Sequence, residues 1–222
     1  MTEHHGGEPG MEAGGGFDEP LPPLALLPGL LLVLTLDTLT LLGKANSQGW
    51  LNALTPWLYA CVPLFVLVTW KRSWRVYGCV RERALLDLGW GMLWGAGWRA
   101  LSLLVNAALL WGRLLSLHGG DFLSIIVLIP FLEEFFFRGY LSRGLCAVIG
   151  RWPGIFLQAL LFTLLPAHWT QGLPHVVGIF IFGVLAGWLV ERRGAIWSAF
   201  GAHSFANALP TLILLVSPYL SS

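Results

Sequence analysis

The sequence predicts an all-α fold, a polytopic bundle of about seven membrane-spanning helices (six to eight, depending on how one long stretch divides). Three observations carry this. Charged residues make up 11% of the chain, where a soluble domain carries about 25%. The composition is 56% hydrophobic with a mean hydropathy of +0.70. And from residue 21 onward the chain divides into apolar stretches of roughly the 20 residues that a bilayer requires of a helix. Ten-residue alternating strands, the mark of a membrane barrel, are missing from the pattern. One domain suffices for 222 residues. A net charge of +1 argues against a nucleic-acid partner; the lipid bilayer is the expected surrounding.

Residues 1–20 are acidic, Gly-rich and nearly free of apolar side chains, which predicts a disordered tail. The apolar stretches then run 21–43, 50–70, 84–111, 122–140, 153–170, 174–191 and 195–216. The third is long for one span, so Ala84–Gly95 is either an interfacial segment or part of one tilted helix. Tryptophans at segment ends (Trp50, Trp70, Trp111, Trp152, Trp169) suit headgroup anchoring, whereas Trp94 and Trp188 fall inside segments and suit packing. Gly183 and Gly187 form a G-x-x-x-G on the sixth stretch, expected to bring helices close. Cys61, Cys79 and Cys146 show no metal or redox spacing and are expected to be free thiols.

Basic residues set the orientation. Lys71, Arg72, Arg75, Arg81 and Arg83 share one connection, Arg143 and Arg151 a second, Arg192 and Arg193 a third, while the alternate connections hold Lys44 and Arg113. With seven spans the three basic connections share one side, which the positive-inside rule makes cytoplasmic together with the N-terminus.

Within the fourth stretch stand two adjacent carboxylates, Glu133 and Glu134. A carboxylate at a bilayer centre costs about 2.5–3.5 kcal/mol on insertion scales, so an ionisable group there is a functional-site hypothesis by default. Successive helical residues point about 100° apart, so the two acids leave on different faces. Glu134 and Arg138 are i, i+4 with the acid N-terminal, the favourable order for an ion pair. Glu133 is therefore the acid left free to act. Partners for it lie further on. His168 ends the fifth stretch just after Pro166, which frees a backbone carbonyl. His203 and Asn207 share a face of the last stretch, as an oxyanion-stabilising pair of donors or an interhelical clamp. At about 1.5 Å per residue, Glu133 and His203 both fall in the middle-to-cytoplasmic half of the membrane. Asp37, alone as an acid in the first stretch, is a candidate partner for Arg99. No H-E-x-x-H or G-x-S-x-G occurs, so neither a zincin site nor a serine elbow is indicated. The expectation is no cofactor and no metal.

Glu133-Glu134-x-x-x-Arg138, His168, and His203-x-x-x-Asn207, in this order, resemble the motifs of the CAAX prenyl endopeptidase and bacteriocin-processing (Abi, lysostaphin-resistance-like) family. The middle motif departs from the family's F-x-x-x-H, because residue 164 is Leu and the phenylalanine is Phe162, two residues earlier. The resemblance spans about 122–210 and divides the chain into generic N-terminal helices (21–121) and a core (122–216). It implies an intramembrane endopeptidase acting on a membrane-anchored protein or peptide, such as a C-terminal tail, in a bacterial plasma membrane. Glu133 and His168 would activate a water, His203 and Asn207 would hold the oxyanion, and Glu134 with Arg138 would brace the site. A non-catalytic immunity or scaffold protein on the same fold, and a proton or metal transporter, are the competing readings.

Overall fold

The computed structural model describes residues 21–41, 49–108, 123–165, 168 and 172–220. The expected N-terminal tail, Pro166, Lys44, Trp111, Arg113 and Trp169 lie outside the described residues. Within them every regular element is helical and none is a strand. A 3₁₀ turn, Pro23–Leu26, leads into α1 (Leu27–Leu41), followed by α2 (Gly49–Thr69), a second 3₁₀ turn (Trp74–Tyr77) and α3 (Ala84–Ala108). A continuous helical run over 123–149, here α4, joins a π segment Ser124–Leu128, an α turn Ile129–Glu134, a longer π segment Phe135–Ser142 and a final α segment Arg143–Ile149. Then come α5 (Arg151–Thr163), α6 (Leu173–Arg193) and α7 (Trp197–Leu220).

Ala84–Ala108 is one uninterrupted helix, which resolves the division of the third stretch in favour of a single element. By length and composition one described helix, Leu173–Arg193, is sufficient to cross a membrane, and Pro23–Leu39 and Leu54–Thr69 are shorter apolar helices. The expected count of seven thus rests on stretches diluted by their own chemistry: glycines, tryptophans and Arg99 lower the hydropathy of α3, and His203, Ser204 and Asn207 that of α7.

The most extensive helix pairing joins α3 to α7, and glycine makes it possible. A Cβ on Gly91 would lie 2.0 Å from the Ser198 carbonyl oxygen and one on Gly95 2.2 Å from that of Ala202. Gly91-x-x-x-Gly95 therefore seats the helix that carries His203 at backbone contact with α3. The G-x-x-x-G recognised from sequence works likewise between α6 and α5. Gly183 faces Ala159 and Gly187 faces Ile155 and Gln158. The expected Asp37–Arg99 pair is not formed: neither carboxylate oxygen of Asp37 has a hydrogen-bond partner among the described residues. Instead Arg193 donates to Asp87, tying the end of α6 to α3. Cys61, Cys79 and Cys146 are free.

The three basic connections gather at one end. Ile196 N–H donates to the Gly78 carbonyl at 3.1 Å, Trp197 Nε1 donates to the Val80 carbonyl at 2.6 Å, and the face of Gly78 lies against Arg143 and Gly194. At the start of the bundle the Tyr140 hydroxyl donates to the Ala25 carbonyl at 2.7 Å and accepts from Gly29 N–H at 3.1 Å. It thus pins α1 onto α4 where the 3₁₀ turn gives way to α-helix. A Cβ on Gly29 would sit 2.3 Å from the Tyr140 ring. Gly29→Ala should therefore cost about 1–3 kcal/mol, the range of overpacked cores. A detergent-titrated unfolding midpoint equal to wild type would show that Tyr140 yields freely.

Candidate active site

The site begins with a register change in α4. Pro130 has no N–H, and the Ile129 N–H bonds to the Ser124 carbonyl in the π register. In that register the Ile125 carbonyl would look to residue 130 for its donor and finds a proline. Asn207 Nδ2 supplies the missing hydrogen bond at 3.2 Å. One amide hydrogen of Asn207 thus clamps α7 to α4, and its second remains. A buried carbonyl left unpaired would cost about 1–3 kcal/mol, which gives this clamp its reason. The longer π segment follows immediately after the glutamates; such segments recur at functional sites because they re-aim side chains within a helix.

Glu134 and Arg138 are both fully buried and pair at 3.1 Å across i, i+4, as the spacing predicts. The guanidinium also lies over the Phe162 ring, 4.3 Å from its centroid, so a cation without water is faced by a carboxylate and a π cloud. Gly183 of α6 lies beside it: a Cβ there would be in ordinary contact with Arg138 Nη2, at 3.6 Å.

Sequence spacing leaves one role of Glu134 unseen. The Oε1 that accepts from Arg138 lies 2.8 Å from His203 Nδ1. An ionised carboxylate only accepts, so Nδ1 carries the proton toward Glu134 and the ring turns Nε2 the other way. There Nε2 lies 3.8 Å from Glu133 Oε2, too long for a direct hydrogen bond and suited to a shared proton carried by an intervening water. Glu133 keeps 16% side-chain exposure while Glu134 has none. The carboxylate assigned to act is thus the one that can be reached.

The charge balance follows. Glu134 and Arg138 cancel. Glu133 and His203 are left as an acid and an imidazole in a largely dry site, where a net charge is costly. One proton shared between them makes the cluster neutral.

His168 stands beside this cluster. Its Nδ1 is 2.7 Å from the Phe162 carbonyl, an atom that can only accept, so Nδ1 holds the proton and Nε2 is the bare acceptor. Both imidazoles meet the same ring: His168 at 4.6 Å and His203 at 6.5 Å from the Phe162 centroid. The phenylalanine that serves His168 is therefore Phe162 itself. Phe182 of α6 closes another side, 5.4 Å from His203. Thus Glu133, Glu134, Arg138, His168 and His203 gather around Phe162 and Phe182, and Asn207 sits one turn beyond His203 on α7. Among the described residues no group of three or more His, Cys, Asp or Glu side chains is arranged to hold a metal ion.

Sequence spacing names Phe162 only as the displaced phenylalanine of the middle motif; that it and Phe182 wall the site is not legible there, because a phenylalanine in an apolar helix carries no signal of its own. Neither a curated protein nor a solved structure matches the chain. Residues 116–209 match the family model described as Rce1-like, type II CAAX prenyl endopeptidase, so the resemblance carried by the motifs is borne out over this stretch, and that family implies CAAX-type intramembrane endopeptidase activity.

Proposed function

We propose that the chain is a membrane-embedded glutamic endopeptidase that hydrolyses a peptide bond in a membrane-anchored protein or peptide. The observation that carries this is the reachable Glu133 beside the Nε2 edge of His203 at 3.8 Å, behind which Glu134 and Arg138 fix the imidazole. With the shared proton on His203 Nε2, Glu133 is ionised and takes a proton from a water. The water oxygen bonds to the substrate's carbonyl carbon, and the Nε2–H donates to the carbonyl oxygen as it becomes anionic. The free N–H of Asn207 is the second donor to that oxygen. His168 Nε2, an acceptor, orients the water. When the C–N bond breaks, Glu133 returns its proton to the leaving nitrogen, giving a carboxylic acid and an amine. General acid–base work of this kind contributes about 10²–10⁴-fold in rate, and the oxyanion donors add to it.

The polytopic membrane bundle belongs to the same proposal, with residues 122–216 as its catalytic core. Supporting it, the outward faces of α1, α2, α3 and α5 carry large apolar side chains (Leu31, Phe65, Val68, Leu85, Leu104, Leu160) in the open, a pattern that suits lipid rather than water. Clustering of the basic connections at one end supports a cytoplasmic placing of that end.

The test is cleavage of a library of membrane-anchored peptide tails by purified wild type and Glu133→Gln, read by mass spectrometry with and without chelator. Cleavage by wild type alone, indifferent to chelator, is expected. Loss with chelator would replace the glutamic mechanism by a metal-dependent one. A folded wild type that cleaves no tail, together with a native host indifferent to Glu133→Gln, would favour the scaffold reading.

A further inference from the structure

Three buried tyrosines lie on or against α4, and two of their hydroxyls are accounted for. Tyr77 donates to the Pro63 carbonyl at 3.0 Å, and Tyr140 bonds to Ala25 and Gly29 as described. The third, Tyr59 of α2, is 1% exposed, and its hydroxyl has no hydrogen-bond partner among the described residues. Its ring packs on Phe136 at 4.9 Å and on Phe137 at 5.3 Å. Those residues stand three and four positions after Glu133, about one turn further along α4. The Tyr59 hydroxyl lies within electrostatic reach of two carboxylates, Glu133 and Asp37. Asp37 of α1 is 5% exposed, with both oxygens unpartnered. Pro63, four residues beyond Tyr59 in α2, cannot donate to the Tyr59 carbonyl, so the backbone there lacks its usual helical partner as well.

We propose that Tyr59 is a positioning residue for Glu133: its hydroxyl hydrogen-bonds the Glu133 carboxylate through one water, with Asp37 as the outer member of the same polar chain across α1, α2 and α4. A phenylalanine would pack against Phe136 and Phe137 equally well and would bury no polar atom. The hydroxyl therefore brings a desolvation cost that only a partner can offset. The groups within electrostatic reach of Glu133 are then His203 from α7, Glu134 and Arg138 on its own helix, and Tyr59 from α2. His203 fixes one side of the carboxylate and Tyr59 the other, so that a single oxygen is aimed at the water.

This inference rests on the proposed catalytic role of Glu133, and its test separates the two. Tyr59→Phe keeps the ring and removes the oxygen. On a tail that wild type cleaves, we expect kcat to fall by roughly tenfold or more, as for other groups that orient a reacting side chain, with KM and the unfolding midpoint unchanged. An unaltered kcat would overturn the proposal. A second readout is independent of turnover. The C=O stretch of the protonated Glu133 carboxyl, recorded by infrared difference spectroscopy in acid buffer and assigned by its loss in Glu133→Gln, should move to higher frequency in Tyr59→Phe as the hydrogen bond is removed. Asp37→Asn should move the same band by a smaller amount. A band that stays in place in Tyr59→Phe sinks the contact, whether or not any tail is cleaved. A shifted band in an enzyme that cleaves nothing keeps the contact and removes the protease reading alone.

Discussion

Arg138→Met is expected to destabilise the bundle by about 3–5 kcal/mol, the cost of leaving one partner of a buried ion pair behind. Methionine fills a similar volume against Phe162 and Phe182, so the loss is not a cavity effect. It arises because Glu134, with no exposed surface, keeps His203 as its sole described partner and must either share that imidazole's proton or be neutralised. Replacing both members should recover much of the loss: Arg138→Met with Glu134→Gln buries an amide in place of an unpaired charge, and the pair's coupling appears as non-additivity. Unfolding followed by detergent titration, with helicity as the signal, measures both. A single variant within about 1 kcal/mol of wild type would mean that water reaches Arg138. The double variant is expected to fold and to be inactive, since His203 then loses the carboxylate that selects its tautomer.

The parts of this architecture visible in the sequence are those with a short period. The pairing of Glu134 with Arg138 and the common face of His203 and Asn207 follow from i, i+4 geometry, and the all-helical class follows from composition. What joins α4 to α7 is different. The 2.8 Å contact between Glu134 and His203 spans 69 positions of sequence, and no local pattern announces it. The same is true of the Gly91 and Gly95 contact with α7, because glycines at that spacing say that a helix can come close and not which one will. Pro130 held a signal that a uniform α-helix hides. A proline that withholds its N–H changes the register, and the Ile125 carbonyl then needs a donor, which Asn207 provides. The expected Asp37–Arg99 pair failed for a related reason: opposite charges in two stretches suggest a meeting, whereas helix rotation decides it. Tyr59 illustrates the limit, because an aromatic residue in an apolar helix looks the same whether its hydroxyl faces lipid, backbone or a catalytic acid.

Glu133→Gln and His203→Ala should each reduce the rate of tail cleavage by about 10²–10⁴-fold, the range for removal of a general acid or base. The double variant should be scarcely worse than either alone. Residues that act as one unit are strongly non-additive, because the second loss removes nothing that the first has left working. Here the unit is the shared proton. With Gln at position 133 there is no carboxylate to take a proton from water, whatever the state of His203. With Ala at position 203, Glu133 loses the imidazole that balances its charge in a dry site, and the carbonyl oxygen loses a donor. Most of each effect belongs in kcat, since the groups act on charge that develops in the transition state. Four rate measurements on one tail, each checked for folding by its unfolding midpoint, close the cycle. Fully multiplicative effects would show that Glu133 and His203 work in separate steps, with His168 then the stronger candidate for the imidazole that serves the base.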